Sequence, residues 1–513
     1  MSLSKTLIKN AFSNYAGFAI SALVSIFVSP FVVHHLGNTG YGLWALFQSV
    51  FGYFGLLDMG LGVSVIKYIS QFKARDDRQS INTFGSTIFF TYTIIGGVAL
   101  VLSLGLAPII THVFSIPSAY KHIAFYAVII SGFTTAVVFP MGFLANSLSA
   151  HQRYDLSNAI GIIRSILYAA SIVFLLKHGF GLLSLFMLNL VLSVITTLIA
   201  AYLVLVKYKF ILIKLRLFSL DMLKTAYKYS IFVFLNSLSA QVLLNIGNTI
   251  ISILLTVELV TFYALATKIG NVILQTVSAI VAITLPVFSS LWDVNDKEKL
   301  RFTYLEITKG IMLLSLPVSM VAIIFSESIL NVWIGPGYHL AAITLIFIVG
   351  IFFIHYIGGY ITGILLFGIG RHKALSIANA IAAAVNLPLA IGLTKLIEMK
   401  FGHGYGIFGI PIALGLSMNA VDIFFLPWYV NKIIELPNRQ YLKTFVKPAL
   451  FIVPAIVVAL LIKHYYEPHS LIVFVLESAV IGFFYWGLYY LFGLTKEEKA
   501  RYLGYVSQFV GRS

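Results

Sequence analysis

Four ionisable side chains interrupt long apolar stretches of this sequence and are the strongest candidates for chemistry. Asp58 and Lys67 lie in FGLLDMGLGVSVIKYI, residues 54–69, and Arg164 and Lys268 have similarly apolar surroundings. If these stretches cross a bilayer, a charge without a partner costs about 2.5–3.5 kcal/mol. Because the planar donor fork of arginine matches phosphate oxygens, the pattern predicts a cationic site for an anionic substrate. Its predicted residues are Arg164, Lys268 and Lys67, with Asp58 orienting the arginine.

Each of these side chains also has a structural interpretation. Asp58 and Arg164 come at similar predicted depth, so a buried ion pair that joins two helices is the alternative for both. Lys67 lies about 13 Å further along a straight helix than Asp58 and on its opposite side, which excludes direct pairing. Lys67 can instead extend to the inner headgroups. Lys268 is interpreted as lining a cavity. The alternative is that it pairs with an acidic residue or extends to the outer headgroups.

A second set of polar residues predicts a coupling site for a cation. The set comprises Asp422, Asn419, Asn379 and Asn245. Asn419 and Asp422 are three residues apart and share a helix face. Oxygen ligands that converge there would bind Na⁺ or carry a proton, and no other cofactor and no metal site is predicted. The alternative is ordinary hydrogen bonding between helices, and His355 is interpreted as a lone packing residue.

These residues must be positioned by membrane helices, because the composition excludes a soluble protein. Charged residues make up 10% of the 513-residue chain and apolar residues 59%, whereas a soluble domain has about 25% charged residues. There is no cysteine. Apolar segments of about 20 residues predict fourteen transmembrane helices joined by short loops. The predicted spans are 11–35, 42–69, 83–107, 121–147, 158–177, 182–206, 229–255, 261–290, 305–326, 340–368, 374–396, 406–430, 448–464 and 470–493.

The distribution of basic residues predicts that both termini are cytoplasmic. Most of the 34 lysines and arginines then fall in cytoplasmic segments, as the positive-inside rule requires. The predicted outer loops, taken with the outer ends of the adjoining spans, contain only Lys121, Lys177, Lys395, Lys400 and Lys463. This asymmetry also accounts for the net charge of +16, with anionic lipid headgroups and not nucleic acid as partners.

The sequence also contains an internal repeat. RYDLSNAI, from Arg153, matches RHKALSIANAI, from Arg371, and Tyr41 in YGLWAL matches Tyr263 in YALATK, each about 220 residues apart. An even number of spans in each half predicts two parallel six-helix lobes around a central cavity. The predicted domains are residues 1–210, residues 211–435, and residues 436–513 with two further helices and a cytoplasmic tail.

Several strings of the sequence resemble one family of transporters. HHLGNTGYGLWALFQSVFGYFGLLDMGLGVSVIKYIS, HQRYDLSNAI and LLFGIGRHKALSIANAI are similar to polysaccharide transporters of the MOP superfamily, the Wzx-type oligosaccharide flippases. The resemblance implies a flippase of the bacterial or archaeal inner membrane. It would move a polyprenyl-pyrophosphate-linked oligosaccharide to the outer leaflet by alternating access, for surface polysaccharide assembly. Polysaccharide polymerase and assembly proteins would be its partners.

Other functions remain as alternatives. A flippase for lipid-linked peptidoglycan precursors would need the same cationic site. An ion-coupled small-molecule exporter on the same architecture would favour acids and aromatic residues in its cavity, so the buried bases weigh against it. The sequence contains no GxxxxGK[ST] motif for ATP and no catalytic loop, so no enzyme is predicted.

Overall fold

The computed structural model describes the backbone of residues 3–500 and the side chains of residues 17–500. That part of the chain is helical and contains no strand, which confirms the predicted all-α membrane class. The predicted cytoplasmic tail after residue 500 lies outside the described residues. The α-helices, in chain order, are α1 Leu3–Gly55, α2 Leu61–Ala74, α3 Arg78–Val113, α4 Lys121–Ala150, α5 Tyr154–Lys177, α6 Leu182–Ala201, α7 Leu220–Leu254, α8 Val257–Ala282, α9 Leu285–Asp293, α10 Lys297–Ile324, α11 Ser326–Trp333, α12 His339–Ile354, α13 Ile361–Gly368, α14 His372–Phe401, α15 Gly409–Ala420, α16 Leu426–Ile433, α17 Asn438–Tyr465 and α18 Leu471–Leu488.

Thirteen helical stretches of the described chain are long and apolar enough to cross a membrane. The first, Gly17–Asp58, has 42 residues, about 63 Å of helix and so about twice the hydrocarbon thickness. Gly37 interrupts it with φ 68° and ψ 177°, a conformation that favours glycine. This interruption falls in the predicted boundary between the first two spans. The count of fourteen itself stays a prediction.

The chain forms two compact units that differ in outline from the predicted domains. The first unit runs to Leu265 and includes Ser376–Ala413, and the second comprises Ala266–Leu375 and the chain from Leu414 onward. Helices α1–α7 and most of α14 therefore belong to the first unit. Helices α9–α13 and α16–α18 belong to the second. The division into two repeated lobes stays a prediction.

Small residues bring α3 and α4 together in the first unit. A Cβ at Gly96 would lie 2.9 Å from the backbone of Ala136, and one at Gly132 would overlap Ser103. Such close approach is how membrane helices gain packing energy, since lipid offers no hydrophobic driving force between helices. Beside this contact a core forms from apolar residues of α2, α3 and α4, among them Leu61, Phe84 and Phe143.

The connection between α6 and α7 is held along α3 by side-chain hydrogen bonds. The backbone N–H of Leu212 donates to Asn82 Oδ1 at 2.8 Å, and that of Lys214 donates to Ser86 Oγ at 3.1 Å. These bonds satisfy backbone groups that have no helical partner. Residues 208–214 form no helix, and these two bonds connect them to α3.

A basic residue inside the predicted span 305–326 has an acidic partner. Lys309 is part of α10, in the membrane-length helix Lys297–Ile324, and only 8% of it is exposed. Its ammonium pairs with the Glu498 carboxylate, which follows the last membrane helix. This pairing could not be predicted from the sequence, because Lys309 and Glu498 are 189 residues apart.

Candidate functional site

A break in the second predicted span positions Asp58. The prediction of one straight helix over 42–69 is wrong, because a 3₁₀ turn at Leu56–Asp58 ends α1 and α2 begins at Leu61. Met59 and Gly60 between them have left-handed φ values of 49° and 75°. A Cβ at Gly60 would lie 2.8 Å from the Ser230 carbonyl oxygen, so this turn requires glycine.

The Asp58 carboxylate accepts hydrogen bonds from the broken helix and from α3. The Gly62 backbone N–H donates to Oδ1 at 3.2 Å and to Oδ2 at 3.4 Å, and the Tyr92 hydroxyl donates to Oδ1. A carboxylate at a helix N-terminus satisfies free N–H groups and is favoured by the helix dipole. Asp58 therefore fixes the start of α2.

Arg164 has different partners from those predicted. Its Nη2 donates to Asn189 Oδ1 at 2.7 Å and to Ser193 Oγ at 3.4 Å, both on α6. Among the described residues no ion pair includes Arg164, so the predicted pairing with Asp58 is wrong. The spacing of Asn189 and Ser193, one helical turn apart, is the only sequence signal for this arrangement.

The bonds of Arg164 leave much of its guanidinium available. Both hydrogen bonds are donated by Nη2. A guanidinium has five N–H donors, so these two bonds leave the three N–H groups on Nε and Nη1 unused. The side chain is half-buried on α5. Its two acceptors are neutral, and the positive charge therefore remains uncompensated by a carboxylate. The arrangement suits a bidentate contact to an anion.

Lys67 lies on α2, beyond the break, against aromatic rings. Its Nζ is 3.6 Å from the centroid of the Tyr229 ring and 5.0 Å from that of Tyr68. A cation over a ring face gains about 0.5–2 kcal/mol, depending on how far it is desolvated. The aromatic contacts hold the ammonium in place, and its reach to the inner headgroups stays a prediction.

Lys268 belongs to the second compact unit, whereas Arg164 and Lys67 belong to the first. It is half-buried on α8, two residues beyond the unit boundary. Each unit therefore contributes at least one basic residue from a membrane-length helix. The prediction that these residues line one cavity stays a prediction.

Two of the predicted coupling residues have ordinary amide partners in the first unit. Asn379 Nδ2 donates to Asn236 Oδ1 at 3.2 Å, between α14 and α7. Asn245 Nδ2 donates to Gln241 Oε1 at 3.1 Å, within α7. Hydrogen bonds between amide side chains are what the alternative interpretation of these residues predicts. A role in cation coupling stays a hypothesis. Within the described chain, no group of three or more His, Cys, Asp or Glu side chains could hold a metal ion.

The other two coupling residues belong to the second unit, where the sequence missed a partner. Asp422 Oδ2 lies 2.8 Å from His355 Nδ1, and the Asp422 side chain is only 3% exposed. The interpretation of His355 as a lone polar residue is therefore wrong. Asn419 is also buried, and its Oδ1 has no hydrogen-bond partner among the residues that the structure describes.

Known proteins similar to this chain are membrane proteins. The family described as polysaccharide biosynthesis protein matches residues 36–343. The uncharacterized membrane protein EpsK of Bacillus subtilis (strain 168) is 22% identical over 501 residues, which is 96% of each chain. A putative O-antigen transporter of Shigella flexneri is 22% identical over 435 residues, 83% of this chain and 98% of the transporter.

A solved transporter shares the fold at low sequence identity. The lipid II flippase MurJ, in an inward closed conformation, has a TM-score of 0.71 at 13% identity. The alignment covers 94% of this chain and 99% of MurJ. The helical fold of this chain is thus also seen in MurJ.

Proposed function

Because this chain belongs to the polysaccharide biosynthesis protein family, we propose that it is a flippase for a polyprenyl-pyrophosphate-linked oligosaccharide. It moves this lipid from the cytoplasmic to the outer leaflet during surface polysaccharide assembly. The name of the Shigella relative, a putative O-antigen transporter, supports a glycan as the cargo. We expect the chain to act as a transporter without enzymatic activity, because the proposed role needs only binding and movement of the lipid.

The observation that carries the proposal is the half-buried guanidinium of Arg164, with neutral partners and three remaining donors. An unpaired charge at membrane depth is costly and is retained where it serves a function. A pyrophosphate supplies both the compensating charge and planar pairs of acceptors for the free edge of the fork. A neutral or cationic substrate would leave this cost without compensation.

Other basic residues support the same substrate class. Lys67, held on Tyr229, is a second cation of the first unit, and Lys268 is a cation of the second unit. Asp58 positions the start of α2, which carries Lys67, and does not neutralise Arg164. We therefore propose that Arg164 and Lys67 bind the pyrophosphate within the first unit, that Lys268 binds it within the second unit, and that Asp58 has a positioning role.

The protein works as a multi-pass protein of the cell membrane with cytoplasmic termini. The positive charge of the predicted cytoplasmic loops supports this orientation. The polysaccharide polymerase and other assembly proteins that use the delivered glycan are its expected partners.

Reconstitution in vesicles tests the proposal. The probe is a polyprenyl-pyrophosphate-linked N-acetylglucosamine, and its arrival in the outer leaflet is followed with a lectin that does not cross membranes. We expect protein-containing vesicles to expose the probe faster than protein-free vesicles, and Arg164→Ala to return the rate toward the protein-free value. A peptidoglycan precursor serves as the competing cargo. Movement of that precursor alone would replace the proposal by a peptidoglycan flippase.

A further inference from the structure

Two π-helical turns meet around a buried ion pair in the second compact unit. The turn His355–Tyr360 joins α12 to α13, and the turn Val421–Phe425 joins α15 to α16. His355 begins the first turn, and Asp422 is the second residue of the other. Such π-turns disturb the regular helical hydrogen bonds and frequently occur at functional sites.

Two glycines make room for the carboxylate of Asp422. A Cβ at Gly359 would lie 2.9 Å from Asp422 Oδ2 and still closer to its other carboxyl atoms, and one at Gly358 would overlap the Asp422 backbone. The backbone of the first π-turn thus packs directly on Asp422. The sequence HYIGGY places the basic partner and the two small residues in one turn.

The surroundings of the pair contain hydroxyl groups but no further charge that pairs with it. The ring of Tyr360 lies 5.8 Å from that of His355, and Tyr441 of α17 donates to the Ile357 carbonyl oxygen at 3.1 Å. Tyr304 of α10 stacks on Tyr441 and shares a hydrogen bond with Thr362.

Charged side chains on the elements packed around the pair have other partners or are exposed. On α10, Lys309 pairs with Glu498, and Lys297 and Arg301 pair with Glu435. Glu298 and Lys299 are exposed, and Glu306 is half-buried. On α12, His339 pairs with Glu327, and on α16 Lys432 lies over the Trp428 ring. On α17, Arg439, Lys443 and Lys447 are exposed. Within the described chain, Asp422 thus forms an ion pair with His355 alone.

We propose that His355 and Asp422 form the proton-binding site that couples glycan movement to a proton gradient, an inference that rests on the proposed flippase function. With one proton on the imidazole, the pair is an imidazolium and a carboxylate with no net charge. Loss of that proton to water leaves the buried carboxylate negative, which low dielectric disfavours. His355 is 24% exposed and can exchange the proton, whereas Asp422 is sheltered.

Proton exchange at this position would act on the helices that the pair joins. The charged pair ties the π-turn after α12 to the π-turn after α15 through a charge-assisted hydrogen bond. Release of the proton removes the attraction and frees the two turns to shift. A proton taken up from one side of the membrane and released to the other would thereby alternate two arrangements of the second unit.

Sodium is the competing ion, since Asp422 and the free Oδ1 of Asn419 are both oxygen ligands. The geometry favours the proton, because the imidazole nitrogen already lies at hydrogen-bond distance from the carboxylate. A sodium ion would need several further oxygens around Asp422 in place of this contact.

Transport under imposed gradients tests the proposal with His355→Gln and Asp422→Asn. For one proton per glycan, a gradient of one pH unit shifts the steady-state leaflet ratio of the N-acetylglucosamine probe about tenfold. We expect this shift in the wild type and in the control His339→Gln, whose imidazole is exposed. Both pair variants should lose the shift while moving the probe without a gradient. Tenfold shifts in both folded variants, or a wild-type shift that follows sodium, would overturn the proposal.

Histidine ¹⁵N NMR at one fixed pH tests the site when no transport is seen. We expect the Nδ1 resonance of His355 to differ between the wild type and Asp422→Asn, because the contact with the carboxylate is lost, with the His339 resonance unchanged. Identical His355 resonances in the two proteins would overturn the proton site. Absence of probe movement in the wild type would instead reject the flippase function, so the two failures are distinguishable.

Discussion

Replacement of Gly60 by alanine should destabilise the first unit by about 2–5 kcal/mol. Gly60 has φ 75°, and an L-residue in the left-handed region costs roughly 1–2 kcal/mol. The new Cβ would also lie 2.8 Å from the Ser230 carbonyl oxygen and 3.1 Å from Val233 Cβ. Overpacking of this kind costs about 1–3 kcal/mol, and the two contributions together give the expected range.

The free energy of unfolding, measured by denaturant titration in bicelles, is the assay for this prediction. Gly97→Ala is the matched control, because Gly97 lies inside α3 with open space around its Cβ position. An alanine there should be neutral or stabilise by about 0.5–1 kcal/mol. Since the turn at Gly60 also places Gly62 N–H on Asp58, the folded fraction of Gly60→Ala should move glycan more slowly. Equal stabilities of the two variants would refute the strained turn.

Two further predictions concern the second unit and the C-terminal end of α4. Gly359→Ala should destabilise the protein by about 1–3 kcal/mol and abolish the response to a pH gradient, because its Cβ overlaps the Asp422 carboxyl group. Gly350→Ala on α12, which meets open space, should change neither measurement, and equal behaviour of both variants would contradict the packing argument. Burial lowers the pKa of the His151 imidazole, which stacks on Phe210. The unfolded chain then binds the proton more tightly, so stability should fall as the pH drops below about 6.5. The His151→Phe variant should show a smaller loss between pH 7.5 and pH 5, and an unchanged loss would contradict the assignment.

Hydropathy was sufficient to predict the class and most helices, because apolar runs of membrane length have few alternative structures. The uniformly apolar sequence contained no indication of the helix break at Leu56–Gly60. The segment remains apolar on both sides of Asp58 and contains no proline. The turn places Gly60 against Ser230 and Val233 of α7, a contact that local sequence does not encode. A straight helix was therefore predicted where two helices meet.

Candidate site residues could be chosen by type but not by partner. Arg164 and Asp422 stood out because charges in apolar segments are rare. Their contacts depend on which helix faces pack together, and His355 and Asp422 are 67 residues apart. The π-turn that presents His355 has no signature in hydropathy. Pairing of Asp58 with Arg164 followed from equal depth alone, and depth does not define a helix face.

Binding of the pyrophosphate headgroup to Arg164 is tested most directly by affinity measurements in nanodiscs. The ligand is the polyprenyl-pyrophosphate-linked N-acetylglucosamine, and Lys224→Ala, at an exposed lysine, is the control. Loss of a charged hydrogen bond worth about 1.5–3 kcal/mol predicts roughly 10- to 150-fold weaker binding to Arg164→Ala, with Arg164→Lys in between. Wild-type affinity and wild-type transport in the double variant Arg164→Ala/Lys268→Ala would contradict the cationic site.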